Sequence, residues 1–76
     1  MDRSPVKSQI ILSVGYDEPS RTLEIEFWDH AVWQYYPVTV EGYNQFIGAR
    51  SIGKYFHSHI KGNSALTATQ SEPGQT

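Results

Sequence analysis

Seventy-six residues hold one small domain at most, and with 38% apolar and 18% charged residues the bulk of it is globular. There is no cysteine, which excludes a disulfide or a thiolate metal site and leaves the packing to ten aromatic side chains. The net charge of −2 argues against a general nucleic-acid binder, yet residues 1–41 carry seven acids and three bases, while residues 42–76 carry three bases and one acid.

Residues 1–5 read as a flexible N-terminus, with no long apolar stretch behind them of the kind a secretory signal needs. The longest aliphatic run, Ile10-Ile11-Leu12, is far too short to cross a bilayer. The expectation is a cytoplasmic protein with no membrane partner. From Ser8 to Tyr16 the residues alternate, with Ile10, Leu12, Val14 and Tyr16 on one face and Gln9, Ser13 and Gly15 on the other. A period of two marks a half-buried strand, with Ile11 as an interruption of the polar side. Asp17-Glu18-Pro19-Ser20-Arg21 is a turn by composition. Thr22 to Trp28 alternates again, Leu23, Ile25 and Phe27 inward, Glu24 and Glu26 outward. Asp29-His30 turns the chain into a third strand, Ala31 to Tyr36, which Pro37 ends because it cannot donate to a ladder.

The side of the sheet taken by Trp33 and Tyr35 depends on this second turn. A two-residue loop, Asp29-His30, sets Phe27 opposite Val32 and turns both rings outward beside Glu26 and Glu24. A three-residue loop, Trp28-Asp29-His30, with His30 in the left-handed region, sets Ile25 opposite Trp33 and Leu23 opposite Tyr35. The second buries more apolar area and leaves Gln34 outside. His tolerates a positive φ less well than Gly, so that loop carries mild strain at His30.

Thr39 reads as the N-cap of a helix running to about Ala49, with Val40, Tyr43, Phe46 and Ile47 as its apolar stripe. Ser51 caps a second helix, Ile52 to about Ile60, whose inward stripe is Ile52, Phe56 and Ile60. Lys61 suits the end of that helix and Gly62 stops it. Residues 62–76 hold Ser, Thr, Gln, Pro and Gly with only Leu66 of any size, the composition of a disordered tail. The expected architecture is α+β: a small antiparallel three-stranded sheet followed by two short helices packed on one face, β-β-β-α-α.

Four pieces stand in a fixed order: Gly15-Tyr16-Asp17, then Leu23, Ile25 and Phe27, then Trp33-x-Tyr35, then Ala49-x-Ser51-x-Gly53-x-Tyr55-Phe56. In this order and spacing the chain resembles the KTSC domain, a module also found at the C-terminus of some lysyl-tRNA synthetases. The resemblance covers residues 6–61 and departs at Gln9, at His30 where Gly is usual, at Trp33 where Tyr is usual, and around Tyr36-Pro37-Val38. It narrows the fold and, through the synthetases, implies RNA as a partner.

The residues themselves offer two surfaces. Arg50, Ser51, Lys54 and Lys61 gather next to His57 and His59 in an acid-free stretch. On a helix from Ile52, Lys54, His57 and Lys61 share a face opposite the apolar stripe. Arg50, the Ser51 hydroxyl and Lys54 flank a helix start, where a phosphate fits. Trp33 and Tyr35 are the candidate stacking rings. This gives a nucleic-acid reading, for RNA that is single-stranded or tRNA-like. Its bland counterpart is an ordinary charged helix face with the two rings in the core. The alternative reading is a protein-interaction or self-association module working through an exposed sheet edge or aromatic face. Outward Glu24 and Glu26 repel phosphate and count against an RNA-binding sheet face.

No enzyme is expected. Ser51, His57 and Asp17 can be written down as a triad, but nothing in the sequence brings them together. His57 and His59, two apart on a helix, diverge, and no metal or cofactor is expected. No phosphate-cradling glycine loop is present.

Overall fold

Residues 3–72 are described by the computed structural model of the chain. Five strands form one antiparallel sheet in which each lies beside its neighbour in sequence: β1 (Ser4–Pro5), β2 (Ile11–Asp17), β3 (Thr22–Phe27), β4 (Val32–Tyr36) and β5 (Thr67–Glu72). Between β4 and β5 run α1 (Val40–Ile47) and α2 (Ile52–Tyr55), the latter continuing as a π-helical turn, Phe56–Ile60. The α+β class stands, but the sheet has five strands where three were expected.

Both additional strands are at the edges, where a period-two apolar pattern is not required. β1 is two residues long and includes a proline, which only an edge tolerates without losing a ladder bond. Ser4 and Pro5 thus belong to the sheet rather than to a flexible terminus, and residues 1 and 2 lie outside the described residues. β5 corrects the expected disordered tail over Thr67–Glu72, since Thr67 pairs with Tyr36, Ala68 with Tyr35 and Gln70 with Trp33. Its side chains from Thr67 to Ser71 are exposed, so the strand is held by backbone bonds and threonine's preference for extended chain. Leu66, just before it, packs onto the core. The remainder of the expected tail, residues 73–76, lies outside the described residues.

In β2 the alternation expected from the sequence is broken. Ile11 pairs with Phe27 and Ser13 with Glu26, which makes Leu12 the extra residue of a β-bulge. Ile11 therefore turns inward and is fully buried, although the sequence pattern assigned it to the polar side. Ile10 lies ahead of the strand, and its N–H and that of Ile11 both reach the Ser8 hydroxyl at 3.2 Å. Beyond the bulge, Val14 opposes Ile25 and Tyr16 opposes Leu23 as the inward set.

The hairpin between β3 and β4 takes the three-residue loop. His30 donates its N–H to the Phe27 carbonyl at 2.8 Å, the Phe27 N–H reaches Ala31 at 3.0 Å, and His30 sits at φ 68°. Ile25 consequently opposes Trp33 and Leu23 opposes Tyr35, with both rings on the core side.

Thr39 caps α1 as expected, its hydroxyl accepting the Gly42 N–H at 3.0 Å. The helix ends at Ile47, two residues short of the expected Ala49. Only part of its stripe is inward: Phe46 is fully buried, while Val40 and Ile47 are exposed. Tyr43 stacks on Tyr16 of β2 with centroids 4.6 Å apart. Ser51 caps α2 in the same manner, accepting the Lys54 N–H at 3.2 Å. The π-helical turn then closes with the Lys61 N–H on the Phe56 carbonyl at 2.8 Å, and Gly62 at φ 75° ends it. Phe56 and Ile60 are buried against the sheet. Among the described residues no helix is long and apolar enough to cross a membrane.

The left-handed loop gives a direct stability test. His30→Gly relieves the Cβ penalty at φ 68°, and its loss of unfolded-state restriction offsets only part of the gain. Urea unfolding should show a rise of roughly 0.5–1 kcal/mol. A fall would mean that the weak contact of His30 with Glu26 outweighs the backbone term.

Candidate functional site

The sequence's six candidate residues come from three parts of the fold, and the structure sets them along two adjoining depressions. The first, of about 580 Å³, is lined by Lys7, Ser8, Gln9, Ile10 and the run Arg50–Lys54 with His57. The second, of about 440 Å³, is lined by Ile10, Phe27, Trp33, Tyr35, Phe56, His57 and Lys61. Ile10 and His57 line both. Arg50, Ser51 and Lys54 therefore belong to a polar basin, and Trp33, Tyr35 and Lys61 to an aromatic one beside it.

The π-helical turn explains this division. An unbroken α-helix would carry Lys54, His57 and Lys61 on one face, as the spacing suggested. The i→i+5 closure adds a residue to the turn and rotates Lys61 away from Lys54. That corrects the expectation of a single basic face opposite the apolar stripe. Lys61 instead stands beside Phe56, the centre of that stripe. Gly53 has a structural reason as well: a Cβ there would meet the Ile10 side chain at 3.3 Å. The close approach is to the segment ahead of β2, and it brings Lys7 into the basin.

The aromatic basin is built by Phe56. Its ring meets Phe27 edge-on at 5.4 Å and Tyr35 at 5.7 Å, and His57 lies 5.5 Å from it. Tyr35 is only 7% exposed, and burial raises its phenol above the ordinary value, so the hydroxyl keeps its proton at neutral pH. Trp33 is half-buried.

Charge is segregated in space. Lys7, Arg50, Lys54 and Lys61, four of the six Lys and Arg residues, line the two depressions, and no carboxylate does. None of the four makes an ion pair among the described residues. Glu24 and Glu26 are on the opposite sheet face and are engaged there. Arg3 lies 2.8 Å from Glu24 and 3.9 Å from Glu26. Gln34 donates to Glu24 at 3.2 Å, and the Ser13 hydroxyl donates to Glu26 at 2.8 Å. The sequence had read these carboxylates as exposed and repulsive to phosphate; Glu24 is 7% exposed and paired, on the far side from both rings. Glu18 and Glu41 stand around Tyr16 at the start of α1, in a separate depression.

Sequence reasoning missed Lys7, Ile10 and Phe27 as parts of this surface, while His57, read on the basic face, lines both depressions. Lys7 and Ile10 precede the first long strand, and only the fold carries them to the start of α2. Asp17, which completed the paper triad, is at the far end of β2 from Ile11 and lines neither depression with Ser51 and His57. No cluster of three or more His, Asp or Glu side chains suited to a metal occurs among the described residues.

A family model for the KTSC domain matches residues 7–63. The chain belongs to the KTSC domain family. An uncharacterized protein of Stutzerimonas stutzeri is 33% identical over 61 residues, which is 80% of this chain and 86% of the relative. A protein of Tsukamurella paurometabola is 32% identical over 57 residues, 75% of this chain and 85% of its own. The crystal structure of a KTSC domain protein from Yersinia pestis superposes with a TM-score of 0.85 at 38% identity, covering 91% of this chain and 94% of that one. The β5 strand of this KTSC domain begins beyond the segment that the family model matches.

The Glu26 environment makes the fold acid-sensitive. The Ser13 hydroxyl, ahead of His30 and Arg3, holds the Glu26 carboxyl below its ordinary value. A folded-state pKa below the unfolded one stabilises above the unfolded pKa, and that contribution is lost as pH falls through the folded pKa. Thermal midpoints should therefore decline as the pH drops below about 4.3, the ordinary Glu value. Ser13→Ala should flatten that decline; an unchanged profile in the variant would place the acid sensitivity elsewhere.

Proposed function

We propose that this KTSC domain is a non-enzymatic module that binds RNA along the joined depressions. The observation that carries this reading is the convergence of four cations, none in an ion pair among the described residues, and an aromatic basin on one surface lined by no carboxylate. A cationic track for the backbone beside rings for the bases is the general arrangement for single strands. The segregation of Glu24 and Glu26 on the opposite face, where Arg3 engages them, removes the objection that the net charge of −2 raises. Arg50, Lys54, Lys7 and Lys61 supply phosphate contacts, and Ser51 contributes through the cap that fixes the start of α2.

Four phosphate contacts on a single strand predict an affinity loss of roughly 50-fold between about 50 and 200 mM salt. Lys54→Ala and Arg50→Ala should each lower the magnitude of the log–log salt slope by about 0.7. Fluorescence anisotropy with a labelled RNA oligonucleotide reads both. A salt-insensitive affinity, or a slope that neither variant changes, would remove the electrostatic basis of the proposal.

A second reading is favoured by one observation: β5 is a six-residue edge strand without proline or lysine. A second copy pairing antiparallel along β5 would extend the sheet across a two-fold axis. Sedimentation should then show a mass that rises with concentration and falls to the monomer in Thr69→Pro. A constant monomer mass rejects this reading and leaves the first untouched.

A further inference from the structure

One exposed ring lies beside the two depressions without lining either. Trp28 is the most exposed large hydrophobic side chain among the described residues, at 54%, although tryptophan is ordinarily well covered. Alternation from the inward Phe27 turns it, as the first residue of the three-residue loop, away from the core. No aromatic ring contacts it among the described residues. Tyr35, by contrast, belongs to the core cluster, and Trp33 packs against it.

The exposed ring is nevertheless fixed. Its indole N–H donates to the Ser8 carbonyl at 2.9 Å, and its backbone N–H donates to the Ile10 carbonyl at 3.3 Å. Both partners line the polar depression with Lys7, Arg50 and Lys54. The Ser8 hydroxyl lies 3.6 Å from the position a Cβ would take on Gly53, so one residue, Ser8, stands between the Trp28 indole and the start of α2. The carboxylates nearest in sequence are engaged elsewhere. Asp29 accepts the Ala31 N–H at 3.0 Å, and Glu26 accepts the Ser13 hydroxyl at 2.8 Å.

We infer that Trp28 is a stacking platform for single-stranded RNA: a base lies on its indole while phosphates of the same strand contact Lys7, Arg50 and Lys54. The inference rests on the groove reading above and adds to it a ring outside both depressions. Charge complementarity names the occupant, since the segment that holds the indole also carries Lys7 into a basin lined by three cations and no carboxylate. The bond to Ser8 uses the polar edge of the ring and leaves its apolar surface for contact. A ring already fixed in this way loses little rotamer freedom when a base stacks on it. Every base has a π-face, so the platform is tolerant of sequence. Its bases must be unpaired and free of their own stack, which single strands supply.

The test uses the full chain and two labelled probes: a mixed-sequence single-stranded RNA, and an abasic strand of equal length that keeps the sugars and phosphates. Anisotropy should show Trp28→Leu binding the first about tenfold more weakly than the unmodified chain does. Its affinity for the abasic strand should be unchanged, and so should its salt slope, because stacking releases no counterions. Trp28→Phe restores a ring and should recover most of the loss. In NMR spectra of the unmodified chain, the Trp28 ring C–H signals should move on adding the base-carrying strand and stay in place with the abasic one. An equal loss on both strands in Trp28→Leu would reduce the ring to positioning Lys7, and no loss on either would leave it without a part in binding. Either result, or ring signals that stay in place with both strands, would overturn the platform while a salt-sensitive groove stands. Failure of the unmodified chain to bind either strand would overturn both.

Discussion

The contacts of Phe56 organise the rest of this fold. One ring, on the first residue of the π-helical turn, touches Phe27 of β3 and Tyr35 of β4 edge-on and so locks the helical layer to the middle of the sheet. Such ring pairs contribute about 0.5–1.5 kcal/mol each beyond the area they bury, and in a core this small two of them weigh heavily. Holding the ring there fixes the helical layer with Ser51 and Lys54 on one side of His57 and Lys61 on the other. The π-helical closure is the local adjustment that keeps both Phe56 and Ile60 buried while the chain turns towards β5. The same packing that stabilises the domain thus determines which cations meet the aromatic basin.

Electrostatics follow from that arrangement. A chain with net charge −2 presents a cationic groove because its acids are placed and occupied elsewhere. Glu24 and Glu26 face away from Trp33 and Tyr35 by strand parity alone, and Arg3 enters that outer face to meet them. Partly buried carboxylates without a cation would cost more than the pair returns, so Arg3 is better viewed as compensating a cost than as adding stability. With Arg3 engaged there, the cations without an ion pair among the described residues are mostly on the groove.

Much of this was legible from the residues. Both helix caps were, because Thr39 and Ser51 precede apolar stripes and a capping hydroxyl acts over three residues. The parity of Trp33 and Tyr35 was legible as a choice between two loops, and buried area favoured the one found. The Leu12 bulge was not, because Ile10, Ile11 and Leu12 are all apolar and such a run fits either register. The π-helical turn left no signal in residue spacing. At the site, the two candidate surfaces read from the sequence lie side by side as adjoining depressions, but the supposed single basic face was divided by that turn. Lys7, Ile10 and Phe27 escaped notice because only tertiary packing gives them neighbours there.

β5 shows why polar sequence is weak evidence of disorder. Thr-Ala-Thr-Gln-Ser-Glu buries almost nothing, and no periodicity test can detect a strand exposed on its described side chains. What it supplies is backbone pairing to β4, and the residues it pairs with include Trp33 and Tyr35. Without it, β4 would become an edge, with its own N–H and C=O groups open to solvent and its two rings carried on the least constrained strand of the sheet. Leu66 enters the core immediately before β5 begins and so anchors the strand from its first residue. The segment that looked least structured therefore bears directly on how firmly the aromatic basin keeps its shape.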